Sequence, residues 1–410
     1  MKLDPPAWLD PAVWLDRPGV KRLLTALDGE GGPNGDGSNA RFVGGAVRDR
    51  LLGEIPGDLD LATVHSPQEV VRRLEAAGIK AIPTGIAHGT ITAVASGTLI
   101  EVTTLRADLA TDGRRATVAF TDNWQGDAAR RDFTINALYA DPQTGELFDY
   151  FGGLDDLKAR RVRFIGEPLQ RIAEDHLRIL RYFRFHARFG AGEPDAAALA
   201  ACTARANDLM ALSRERIADE LLKLLALADP TPTLRLMIER GLLAPVLPEI
   251  ASAERLTALV AAERAADIAP APLRRLAALL PPDPATAEKV AARLKLSNKA
   301  KKRLVLAADY VLAADHALAA SIHSLAYRLG TEGATDRLLL ANRPGDAAAL
   351  AVWPVPRLPV SGGQLIARGV PQGPEVARAL KRIEQAWEAA GFPDGDAVEQ
   401  LIADEAARRR

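Results

Sequence analysis

The chain has 410 residues, 52 Lys and Arg against 53 Asp and Glu, and a net charge of −1. That length suits two to four domains with ample core, and the balanced charge gives no global sign of nucleic-acid binding, so any RNA surface must be a local patch. A single cysteine, Cys202, excludes an intrachain disulfide. No apolar run is long enough to span a bilayer, and the opening MKLDPPAWLD lacks a basic-then-apolar signal pattern, so a cytoplasmic protein with no membrane association is expected.

In chain order, residues 1–40 read as an N-terminal extension: a short amphipathic stretch with Trp8 and Trp14, then the Gly-rich run Gly29–Ser38. From Arg41 to about Ile165 the pattern is mixed. Thr90–Ala95 and Leu99–Leu105 flank Ser96-Gly97-Thr98, a hairpin signal, and helical patterns fall at Ala46–Leu52 and Pro67–Ala77. After Gly166 helical periodicity takes over, broken at Pro281–Pro284 and Trp353–Pro359. The expected fold class is α+β. A head of mixed sheet and helices (41–165) precedes an all-α neck (166–228), body (229–285) and tail (286–410). Two basic runs stand out. Lys158–Arg188 has nine Lys and Arg against Glu167, Glu174 and Asp175, and Arg293–Arg303 has six and no acid. Each is a candidate phosphate surface or simply a solvated helix face.

Chemistry concentrates in Phe42–Leu61, FVGGAVRDRLLGEIPGDLDL. Gly44 and Gly45 open a helical stretch, where backbone N–H groups and the helix dipole favour an anion, and Arg48 lies one turn further in, able to pair with a triphosphate oxygen. In Gly57-Asp58-Leu59-Asp60-Leu61, residues two apart share a strand face, so Asp58 and Asp60 are expected to point the same way with Leu59 and Leu61 toward the core. Adjacent carboxylates repel unless a cation neutralises them, and Mg²⁺ prefers such oxygen donors. The plain alternative is a solvent-facing strand with two acids. Glu101, in the middle of Ile100–Leu105, is the candidate third ligand, or an ordinary surface Glu.

This segment resembles the head motif of class II nucleotidyltransferases, the family of bacterial and eukaryotic CCA-adding enzymes and bacterial poly(A) polymerases. Further segments follow in the family's order. Arg130–Leu138 (RRDFTINAL) resembles its ribose-binding motif, Asp149–Leu157 (DYFGGLDDL) its head-to-neck hinge, Glu174–Arg181 (EDHLRILR) its base-selecting helix, and Ser213–Leu225 (SRERIADELLKLL) the helix that buttresses it.

The resemblance implies template-independent addition of C, C and A to the 3′ end of tRNA from CTP and ATP, with pyrophosphate leaving. Two Mg²⁺ ions would be held by Asp58, Asp60 and Glu101, which are then the catalytic residues. Asp132 would accept hydrogen bonds from ribose hydroxyls, with Arg131 and Asn136 reaching phosphate or sugar oxygens. On one helix, Asp175 and Arg178 would lie about 60° apart in projection. An acceptor beside a donor matches the edge that cytosine and adenine share and mismatches uracil and guanine. Arg181, one turn on, joins the expected nucleotide contacts. A Glu174–Arg178 pair at i,i+4 is the simpler use of these charges.

The polar segment Arg106–Asp127 resembles the family's flexible loop, which enzymes adding only C residues shorten. Ile82–Val94 lacks the basic cluster of the poly(A) polymerases, which favours CCA addition. A poly(A) or A-adding enzyme, and an inactive RNA-binding protein, remain the alternatives. The acceptor arm of tRNA is the expected partner, met by the two basic runs; Gly369–Pro374 reads as backbone amides for a phosphate or as a plain turn, and no protein partner is inferred. No His-Asp dipeptide and no four-ligand zinc set occur, so neither a phosphohydrolase nor a zinc site is expected.

Overall fold

The computed structural model describes residues 8–28, 39–112, 115–310 and 322–407. The chain divides into two compact units, Met1–Leu224 with Glu239–Val246, and Leu225–Ile238 with Leu247–Arg410.

The first unit is built on a seven-stranded sheet of β1 (Ala40–Val43), β2 (Leu59–Thr63), β3 (Lys80–Gly85), β4 (Thr90–Ala95), β5 (Thr98–Thr104), β8 (Leu138–Ala140) and β9 (Leu147–Asp149), in the order β3-β4-β5-β2-β1-β8-β9. Only the β2·β5 pairing is parallel. Alternation makes β4: Ile91, Ala93 and Ala95 are buried while Thr90, Thr92 and Val94 keep partial exposure. The β4–β5 hairpin closes as expected at Ser96 and Gly97, both at positive φ (51° and 85°), as a two-residue turn matched to strand twist requires. β2 runs through the middle of the sheet. Leu59, Leu61, Ala62 and Thr63 are buried, so Asp60 is the one residue of the strand with access to water.

Helices cover the sheet. α3 (Gly45–Leu51) follows β1, and α4 (Pro67–Ala76) starts at a Ser66 cap on the Glu69 N–H (3.3 Å) with Pro67 in its first turn. α3 stops because Gly53 takes φ 79°, letting the N–H groups of Gly53 and Glu54 return to the carbonyls of Arg50 and Asp49 (3.0 and 2.9 Å). Residues 12–28, read in the sequence as part of an extension, are built into this unit as α1 (Ala12–Leu15) and α2 (Val20–Asp28). The fully buried Trp14 ring stacks on Phe42 of β1 at 4.6 Å between centroids. The Gly-rich run Gly29–Ser38 lies outside the described residues.

Of Arg106–Asp127, the segment that resembles the family's flexible loop, residues 106–112 form β6 (Arg106–Asp112), residues 115–120 form β7 (Arg115–Phe120), and α5 (Trp124–Ala129) follows, while residues 113 and 114 at its centre lie outside the described residues. The two strands pair with each other alone, from Arg106↔Phe120 to Asp112↔Arg115. A ribbon that satisfies its backbone by mutual pairing needs no strong apolar stripe, so its polar composition hid it.

Beyond β9 every described element is helical: α6 (Gly153–Lys158), α7 (Pro168–Glu174), α8 (Arg178–Phe189), α9 (Ala196–Ala204) and α10 (Arg214–Leu225) complete the unit. Phe133 packs on Phe164 and Phe185, each at 5.1 Å between centroids, and so ties the segment after β7 to α8.

The second unit is all helix among its described residues. Its core holds a buried ion cluster in which Glu263 accepts from Arg274 and Arg275 while Asp336 accepts from Arg274 and Arg303. A second cluster gathers around Trp387, Ile383 and Ile402. Ser297 caps the helix Asn298–Ala308, as its position in the sequence suggests. The basic run there is partly spent inside the protein: Arg293 pairs with Glu249 (2.7 Å), Lys301 with Glu288 (2.6 Å) and Arg303 with Asp336 (2.7 Å). Gly369–Pro374 ends in a helix start, with Pro374 opening Pro374–Ala389. No described helix is long and apolar enough to cross a membrane.

Candidate active site

Parallel pairing of β2 with β5 sets Asp60 directly opposite Glu101. The flanking pairs, Leu59↔Ile100 and Leu61↔Val102, are buried, so the two acids share the other face, Asp60 half-buried and Glu101 exposed. Asp58 is not in the strand. It lies in the bend before β2, exposed, and reaches Asp60 through its charge. Burial pushes the Asp60 carboxyl up to about 6; Glu101 and Asp58 add to this, and Arg131 and Arg48 oppose it. The donor set is all carboxylate oxygen under mutual repulsion, which fits a hard divalent cation. Among the described residues no three such side chains close around a single point by themselves.

Next to this pair, Gly44 takes φ 64° and ψ −121°, a conformation open to Gly, and starts α3. Arg48 does not project freely from that helix. It is buried, donates to Asp49 (2.6 and 2.8 Å) and to Asn136 Oδ1, and stacks on Phe189 at 4.1 Å. Burial pulls its pKa below the ordinary Arg value, against the pull of Asp49. Arg131 is clamped by Asp127 (3.1 Å) and the Tyr139 hydroxyl (3.1 Å), while its Nη1 lies 3.6 Å from where a Cβ on Gly44 would sit. Burial opposes its charge, but Tyr139 and Asp127 outweigh that and hold its pKa above the usual value.

Asp132 faces the other way along the chain. Its Oδ1 accepts from the Phe133 N–H and Asn136 Nδ2, both 2.9 Å, and its Oδ2 from Arg181 Nε (2.8 Å) and Nη2 (2.6 Å). Burial alone would raise this carboxyl, yet Arg181 and the hydrogen bonds hold it below the usual range.

The segment expected as one base-selecting helix is broken. α7 ends at Glu174, Asp175 is extended (φ −152°, ψ 106°), and α8 begins at Arg178. The Asp175 carboxylate caps this turn, accepting from the Leu177 N–H (3.1 Å), and pairs with Arg216 of α10 (2.8 Å). Because Asp175 has left the helix, it does not face Arg178 at i,i+3. Arg178 pairs instead with Glu174 and donates to the carbonyls of Arg171 (2.8 Å) and Arg130 (3.3 Å). Arg171 also binds the Arg130 and Arg131 carbonyls, anchoring α7 to the segment that carries Asp132.

Comparison with known proteins places these features. Residues 40–163 match the poly A polymerase head domain, and residues 193–254 the probable RNA and SrmB-binding site of polymerase A. The mitochondrial CCA tRNA nucleotidyltransferase 1 of Mus musculus is 37% identical over 86% of this chain and 83% of its own. The CCA-adding enzyme of Bacillus licheniformis is 35% identical over 85% of this chain and 90% of its own. The chain belongs to the CCA-adding enzyme family. The solved Bacillus stearothermophilus CCA-adding enzyme in complex with CTP superposes with a TM-score of 0.74 at 28% identity, covering 98% of this chain and 99% of that one.

Within that family fold, the residues singled out from the sequence fall into three sets, one of them Asp175 and Arg178 at the α7–α8 break. Asp60 and Glu101 are brought together by the sheet, with Gly44, Arg48 and Arg131 beside them. Asn136, Asp132 and Arg181 form a chain of contacts leading away to α8. Four residues escaped the sequence reading of the CCA-adding site: Asp127 and Tyr139, which hold Arg131, Arg216, which holds Asp175, and Glu220, which accepts from Arg184 (2.6 Å) and lies 3.6 Å from Arg181. Asp127 sits four residues before Arg131 on a helical turn, a spacing that could have found it. Nothing local marks Tyr139 or Glu220. The basic run Lys158–Arg188 is largely neutralised within the unit: Arg161 and Arg163 go to Asp156, Arg184 to Glu220 and Arg188 to Glu54.

Proposed function

We propose that this protein adds C, C and A to the 3′ end of tRNA, taking CTP and ATP and releasing pyrophosphate. The carrying observation is the in-register Asp60–Glu101 pair, two carboxylates in repulsion at the centre of the head sheet. Mg²⁺ held by Asp58, Asp60 and Glu101 would supply a lowered pKa for the attacking 3′-hydroxyl and screening of the phosphate charge. Gly44, whose own N–H goes to the Leu138 carbonyl (3.1 Å), bends the chain so that the Gly45 N–H at the start of α3 meets the triphosphate, and Arg48 and Arg131 set two positive charges beside it. Asp132, oriented by Asn136, meets the ribose. Asp175 and Arg178, at the break between α7 and α8, meet the base edge once Asp175 turns from Arg216 and Arg178 from Glu174. Discrimination follows because uracil would set acceptor against acceptor and donor against donor. The acceptor arm of tRNA is the macromolecular substrate.

The test is incorporation of labelled CTP and ATP into tRNA lacking its CCA end. Asp60→Ala should lose activity by about a thousandfold while tRNA still binds; retention within tenfold would refute the carboxylate assignment. Long A tracts made by the wild type on a non-tRNA primer with ATP alone would overturn the CCA product.

A further inference from the structure

The sequence suggests that Arg181, one turn beyond Arg178, contacts the nucleotide. Its guanidinium is already committed elsewhere. Nε and Nη2 both donate to Asp132 Oδ2 (2.8 and 2.6 Å), and Nη1 faces Glu220 Oε1 at 3.6 Å. Glu220 is buried on α10, and its second oxygen accepts from Arg184 (2.6 Å), so it is fixed from both sides. The contacts make one line, from Arg48 through Asn136, Asp132 and Arg181 to Glu220 and Arg184. Every hydrogen bond in it runs from an unambiguous donor to an acceptor, which fixes the Asn136 amide as well: Oδ1 toward Arg48, Nδ2 toward Asp132.

We infer that Arg181, backed by Glu220, is a positioning residue for sugar selection: it holds the Asp132 carboxylate in place and does not read the base. The inference rests on the reading above that Asp132 meets the ribose. A carboxylate has about four acceptor sites, and Asp132 has four donors on it, two of them from Arg181 onto one oxygen. That doubled contact is the place where an incoming hydroxyl can enter. The hydroxyl donates to Oδ2 in place of one guanidinium N–H, and the other N–H keeps the carboxylate from turning. A deoxyribose has no hydroxyl to make the exchange. The direct partners of Asp175 and Arg178 are Arg216 and Glu174, not Arg181 or Glu220, although the Asp175 charge still reaches Arg181.

The experiment compares CTP, dCTP and UTP incorporation into tRNA lacking its CCA end for wild type, Arg181→Lys, Arg181→Ala, Glu220→Gln, Asp132→Asn and Arg178→Ala, with thermal melting as a control for folding. Expected is a fall of about tenfold in CTP-over-dCTP preference for Arg181→Ala and Glu220→Gln, a smaller fall for Arg181→Lys, and CTP-over-UTP preference within about twofold of wild type in all three. Arg178→Ala should do the reverse. Should Arg181→Ala fail to fold, Glu220→Gln and Arg181→Lys carry the same ratios. Relaxed UTP rejection with dCTP rejection intact in the Arg181 variants would overturn the inference, as would no change in either ratio. Asp132→Asn separates the levels: if it leaves dCTP rejection unchanged, the ribose reading itself falls; if it relaxes rejection while the Arg181 and Glu220 variants do not, only the positioning role falls.

Discussion

Asp60 and Asp132 are both withdrawn from water within one unit, yet their carboxyls shift in opposite directions. Asp60 is pushed up to about 6 by burial, with Glu101 and Asp58 as like charges beside it. Asp132, more deeply buried, is held below the usual range because Arg181, Asn136 and the Phe133 N–H outweigh the burial. Burial is common to both, so the difference lies in what the fold puts beside each group. A carboxylate set among other carboxylates is poised for a cation from outside. One already saturated by arginine and amide donors is a fixed fitting that shapes the site around it.

That contrast can be broken in several ways, taken here from the largest effect down. The first is catalytic: Asp60→Ala should cost about a thousandfold in nucleotide incorporation, and Glu101→Gln about a hundredfold, measured with tRNA binding as control. The second is stability. Asp132→Asn removes the acceptor charge of a mostly buried pair and should destabilise the unit by about 1–3 kcal/mol at neutral pH in denaturant melts. Because the folded pKa of Asp132 is depressed, its contribution is present above the unfolded value of about 3.9 and is lost as pH falls through the folded value. The gap between wild type and Asp132→Asn should therefore close on acidification below about pH 4; a gap that stays constant would remove the ion pair as its cause. The third is specificity: Arg178→Ala should relax rejection of UTP about tenfold, read from competing CTP and UTP incorporation. The smallest effect sharpens the contrast most. With chelator present, Asp60→Asn relieves the cost of burying a charge and the repulsion from Glu101 and should raise the melting temperature by about 2–4 °C, opposite in sign to Asp132→Asn.

Much of the head was legible along the chain. Alternation placed β4, and Ser96-Gly97 placed its turn, because both depend only on residues a few positions apart. The Gly-Gly helix start and the two carboxylates before and in β2 were visible for the same reason. Other features were not. The Asp175 break hides in a helical-looking stretch, since the carboxylate caps the Leu177 N–H and pairs with Arg216 some forty residues later. The β6·β7 ribbon hid behind polar composition, because its strands satisfy each other. The basic run Lys158–Arg188 looked like a free cationic surface, yet its arginines meet acids brought from Asp156, Glu220 and Glu54.

The amino-acid sequence by itself determined locally encoded elements such as β4, its turn and the Gly-Gly helix start, and which side chains carry charge. These follow from backbone sterics and hydrogen bonding over short spans. Only the tertiary structure decided what each charge faces. The parallel register of β2 on β5 set Glu101 opposite Asp60, and the packing of α8 and α10 against the segment after β7 set Arg181 on Asp132 and Glu220 behind it. Coulomb interaction depends on distance in space and on burial, neither of which a linear spacing encodes, so the same residue type stands under like-charge repulsion in one place and is clamped by arginine in the other.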